Sequence, residues 1–64
     1  MKTYYIVEHR KDNDPWMIDD EFSSLGEAMD FATGEALCHG DLAHRIVRRY
    51  TEEVLTIPRL EDHL

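Results

Sequence analysis

Between Asp12 and His44 the chain has no lysine and no arginine, although nine of its fourteen carboxylates fall within those thirty-three residues. All seven Lys and Arg lie outside that stretch. Whatever the fold, its middle contributes negative charge without a basic side chain beside it. The net charge of −7 excludes easy contact with DNA, RNA or an anionic membrane, because the electrostatic term that dominates such contacts is repulsive. Cationic partners remain open.

Other absences narrow the class further. A single cysteine, Cys38, cannot close an intramolecular disulfide, and small secreted folds usually need several, so a reducing, intracellular setting is expected. No run approaches the roughly eighteen apolar residues of a membrane span. The segment after Met1-Lys2, Thr3-Tyr4-Tyr5-Ile6-Val7-Glu8, is too short and too soon charged for a signal peptide. The expected location is therefore the cytoplasm. With two prolines and three glycines there is no flexible linker, and there is no repeat. Sixty-four residues are expected to make one domain, with a core worth only about 3–5 kcal/mol. Hydrophobic residues at 42% still suffice for a folded chain.

The order of elements is legible from what remains. Tyr4-Tyr5-Ile6-Val7 is aromatic and β-branched and predicts a strand reaching His9 or Arg10. Lys11-Asp12-Asn13-Asp14-Pro15 is rich in turn formers, and Pro15 cannot continue a ladder, so a hairpin is expected. The returning strand, residues 16–22, places Trp16, Ile18 and Phe22 on one face and Met17, Asp19 and Glu21 on the other. Asp20 then falls on the apolar face, which a bulge or an early strand end would resolve.

Ser24-Leu25-Gly26-Glu27 fits a capping box. Leu25, Ala28, Met29, Ala32 and Ala36 follow at helical spacing, within about 40° of a common direction, and form the predicted buried stripe. Gly40 suits a left-handed helix end. Gly34 inside the helix costs about 1 kcal/mol relative to Ala, a hint of close backbone approach or a local break. Residues 43–50 predict a third strand, and Val54-Leu55-Thr56-Ile57 a continuation or a short fourth one; Thr51-Glu52-Glu53 fits either a turn or part of one bent strand. The expected fold is α+β: a small antiparallel sheet, strand-strand-helix-strand, with one helix packed on one face. Residues 1–58 form the single domain and 59–64 a loose C-terminal tail.

No catalytic motif is present, and the chain is read as a non-enzymatic binding protein without a cofactor. Candidate contact residues are the carboxylates Asp12, Asp14, Asp19, Glu21, Glu27 and Asp30, with Trp16 and Phe31 as apolar anchors. The acids stand about 5–7 Å apart on strand and helix, on the scale of phosphates along a nucleic-acid strand. Four residues on, Glu27 meets Phe31, Asp30 meets Gly34 and Glu35 meets His39, where a solvated helix ordinarily offers Lys or Arg. The plain alternative is a solubilising acidic face. Phe31 lies about 120° from the predicted stripe, so it either folds over the helix edge or anchors a partner. Arg45, Arg48 and Arg49 either neutralise Asp19, Glu21 or Glu8 across the sheet or make a separate anion site.

Two further chemistries are weaker. Asp12-Asn13-Asp14 lacks the spacing and glycine of a calcium loop. Cys38-His39-Gly40-Asp41 with His44 offers zinc one thiolate where structural sites pair cysteines, and acidic surroundings raise a thiol's pKa rather than activate it. So small a core makes dimerisation a reasonable expectation.

The opening Met1 to Glu8, the Trp-bearing second strand, the Ser-Leu-Gly-Glu-Ala helix start and Arg45-Ile46-Val47-Arg48 together resemble small accessory proteins of bacteriophages and mobile elements, and among them the small anti-CRISPR inhibitors. The likeness is one of size, charge and element order, and it carries no functional residue across. It implies inhibition by occupying a basic, nucleic-acid-binding or subunit site of a bacterial effector in the host cytoplasm. The runner-up is a small regulatory or structural phage protein acting by dimerisation or apolar contact.

Overall fold

A computed structural model describes residues 2–51. The expected order is found: strand β1 (Lys2–Arg10), strand β2 (Met17–Phe22), helix α1 (Leu25–Cys38) and strand β3 (Ala43–Thr51). They make one antiparallel sheet in the order β2-β1-β3. The expected continuation at 54–57 and the expected tail at 59–64 lie outside the described residues.

The hairpin forms where Lys11 to Pro15 predicted it. The Asp14 amide donates to the Lys11 carbonyl at 3.0 Å, and Asp12 takes φ 54°, a left-handed value that a short polar side chain tolerates. The bulge expected near Asp20 is also present. Val7 pairs with Asp20 and Glu8 with Ile18, so Asp19 is the extra residue. Its consequence was not foreseen. The extra residue reverses the alternation, so Ile18 shares the face of Glu8 while Phe22 shares the face of Tyr5. Phe22 is thus parted from Ile18 and Trp16, which the simple alternation had put beside it.

Phe31 lies against Phe22, ring centroids 5.3 Å apart, which puts α1 on the face of Tyr5, Val7 and Ile46. Val7 and Ala28 are fully buried there. Each fully buried aliphatic chain of Val7's size is worth about 1.5–3 kcal/mol. The helix is rolled relative to the expected stripe: Ala28, Phe31, Ala32 and Glu35 turn inward, whereas Met29 is 53% and Leu25 40% exposed. A phenyl ring reaching Phe22 buries more area than a stripe of alanines, and it decides the roll.

Both helix ends depart from expectation in detail. Ser24 Oγ accepts from the Glu27 amide at 3.4 Å, one half of the capping box; no return bond from the Glu27 carboxylate forms among the described residues. At the other end His39 is the cap, its amide bonding to the Glu35 carbonyl at 2.8 Å, and Gly40 is not left-handed. Gly34 supports neither close approach nor a break. A Cβ there meets nothing within 4 Å, and the helix runs through it.

Candidate functional site

The sheet order decides what the arginines can reach. β1 lies between β2 and β3, so the acids of β2 and the arginines of β3 stand two strand spacings apart, about 9–10 Å. Arg45 neutralises Glu8 of the central strand, Nε donating to Oε1 at 2.8 Å. Among the described residues no Lys or Arg forms an ion pair with Asp19, Glu21 or any other acid of the cation-free stretch. The partners those acids do have are histidines: Asp19 bonds His9 Nδ1 at 2.6 Å, and Glu35 lies 3.7 Å from His39 Nε2.

The candidate contact residues divide into groups. Asp12 and Asp14 are exposed in the hairpin turn. Asp19 is tied to His9, with its side chain only 19% exposed, so it is a poorer docking group than its place in the sequence suggested. Glu21 opposes Ile6 on the face away from α1. Glu27 and Asp30 are exposed on α1. Glu27 precedes Phe31 by four residues, about 40° round the helix, and therefore sits on the flank that leans toward β2. Asp20, opposite Val7, is on that helix-bearing face too, its carboxylate accepting from the Glu21 amide at 2.8 Å. The acids thus gather mainly along the β2 flank and the hairpin end, with Glu21 on the reverse.

Both proposed anchors are half-buried, each against neighbours of its own. Phe31 is spent on Phe22. Trp16 is half-buried on the face away from α1, with the guanidinium carbons of Arg45 and Arg10 at 4.2 and 4.6 Å from its ring centre. The large apolar side chains that are exposed are different ones: Met17 (61%), Ile18 (62%), Leu25, Met29, Leu37 (82%) and Tyr50. All but Tyr50 belong to the cation-free stretch. Leu25 and Met29 among them were legible only as core candidates, because periodicity marks an apolar stripe without saying how much of it a three-stranded sheet can cover; Leu37 was not singled out.

On β3, Arg48 lies 5.9 Å from the Tyr5 ring. Tyr50 first and Tyr5 second push its guanidinium above the ordinary arginine range, so it is a fixed cation. Arg49 opposes Tyr4 on the other face. Cys38 is exposed at the helix end, and no group of three His, Cys, Asp or Glu among the described residues is placed to hold a metal ion. No described helix is long and apolar enough to cross a membrane. No protein-family model, curated protein or solved structure matches the chain.

Proposed function

We propose that this chain is a non-enzymatic binding protein whose acidic flank docks on a basic protein surface, of the kind a bacterial effector uses to hold nucleic acid. It would then act as an inhibitor, as the small anti-CRISPR proteins it resembles in size and charge do. The observation that carries the reading is the separation of charge across the sheet: among the described residues the β2 and α1 carboxylates have no Lys or Arg partner, while Arg45 spends its charge on Glu8. Exposed Met17, Ile18, Leu25, Met29 and Leu37 come from the same stretch of sequence but not from one face: Ile18 looks away from α1, and Met29 lies about 160° round the helix from Glu27.

The test is capture from a bacterial lysate with identification of the bound protein, repeated with Asp14, Asp20, Glu27 and Asp30 changed to Asn or Gln. A partner that binds through the flank is lost in the variant, and its affinity falls steeply as salt shortens the screening length from about 30 Å at 0.01 M to about 3 Å at 1 M. Retention of the same partner at equal affinity rules the reading out. A second reading, apolar self-association, rests on exposed Leu25 and Met29, one helical turn apart. It forecasts a dimer that salt leaves intact and Met29→Glu dissolves.

A further inference from the structure

The face of the sheet away from α1 carries a cluster of opposite sign that the acidic flank does not use. Glu8 and Arg45 are directly opposed there, as are Arg10 and Ala43, so Arg10 and Arg45 are diagonal neighbours on adjacent strands. Trp16 packs over both guanidinium groups. Arg45 gives one donor, Nε, to Glu8. Arg10 Nε is buried and has no partner, and no acceptor among the described residues bonds the rest of that guanidinium. Glu8, Arg10 and Arg45 together carry one net positive charge, within a chain of net charge −7. Arg10 Nε is the one buried donor of the cluster without a partner; the terminal nitrogens of both guanidinium groups are not buried and are open to an acceptor from outside the cluster.

We propose that Arg10 and Arg45, held against Trp16, form a binding site for an oxyanion group, a carboxylate or a phosphate. The two planar forks supply paired N–H donors, the geometry that those groups accept bidentately. The indole face steadies both cations by cation–π attraction and keeps water from one side of them. Glu8 fixes Arg45 through Nε and leaves its terminal nitrogens for the ligand. This site is independent of the acidic flank: it lies on the other face and selects the opposite charge.

Trp16 is the only tryptophan, so its emission reports on the site directly. The full chain is titrated with inorganic phosphate and, separately, with acetate, each at constant ionic strength set with sodium chloride. The expected result is a saturable change in Trp16 emission with at least one anion. Arg10→Gln weakens that binding by about tenfold or more, and Arg49→Gln, on the same face but away from Trp16, leaves it unchanged. A response to phosphate alone assigns a phosphate group, and a response to both anions extends the site to carboxylates. A change no larger than chloride produces, or one that Arg10→Gln retains in full, overturns the proposal and assigns the unmatched donors to water. If Arg10→Gln fails to fold by circular dichroism, the wild-type titration still decides between these outcomes.

Discussion

The two edges of this sheet handle charge in contrasting ways. β2 carries Asp19, Asp20 and Glu21 in succession and leaves them to histidine, backbone amide and solvent. β3 carries three arginines, and two of them are held against neighbours, Arg45 by Glu8 and Trp16 and Arg48 by Tyr5. The cationic edge is thus partly built into the protein, while the anionic edge is left to face outward. Among the described residues, this leaves most acids of β2, α1 and the hairpin without a Lys or Arg partner.

The strongest test of the contrast is to break the cationic edge. Arg45→Leu leaves the Glu8 carboxylate, only 11% exposed, without its partner, and we expect a loss of about 2–4 kcal/mol, below the fully buried extreme because Arg45 itself is half-solvated. Chemical denaturation measures it; a loss under about 0.5 kcal/mol would mean that the pair is ornamental. Next in size is the roll of α1, which sets the flank that Glu27 occupies. Ala28→Leu overpacks a closed site and costs about 1–3 kcal/mol, whereas Met29→Ala stays within about 0.5 kcal/mol. The reverse ranking would restore the stripe expected from periodicity and move the acids round the helix.

Gly34 offers a gain. Its Cβ position is open, so Gly34→Ala should add about 1 kcal/mol, seen as a melting point higher by about 4–8 °C. Unchanged stability would show a constraint at that position beyond the open space. The smallest effect sharpens the charge comparison most directly. Gly34→Lys places a cation four residues after Asp30 and should exceed Gly34→Ala by about 0.2–0.5 kcal/mol at low salt, after allowance for intrinsic propensity, with the excess vanishing at high salt. Equal stabilities at low salt would indicate that the Asp30 charge is already compensated.

Much of this was readable from residues alone, and the errors share a cause. Strand, turn and helix positions follow from β-branched runs, turn formers and the Ser24 cap, all local signals. A bulge near Asp20 was one of two expected outcomes and is present, but not for the reason given: Asp20 stays on the helix-bearing face opposite Val7, and it is Ile18 that leaves that face. The bulge's effect on Phe22 and Trp16 was not readable, since one inserted residue changes side-chain parity and its site depends on pairing with β1. The helix roll was misjudged because alanines specify a direction weakly and a single phenylalanine outweighs them. Gly34 and Gly40 were assigned conformational duties that the chain does not ask of them. As for the candidate site, its acidic character was plain in the sequence, but the His9 bond to Asp19 and the arginines on Trp16 depend on strand order and register, which composition does not encode.

The central place of β1 also has a meaning in time. Its hairpin partner is close in sequence, but its other ladder joins Arg10 to Ala43 and Lys2 to Thr51, separations of 43 − 10 = 33 and 51 − 2 = 49 residues. A chain emerging from the ribosome can close the acidic hairpin early, yet the other side of β1 must wait, unpaired, until β3 has been synthesised. The arginine strand is therefore the last described piece to arrive, and its docking is the step expected to set the pace of folding.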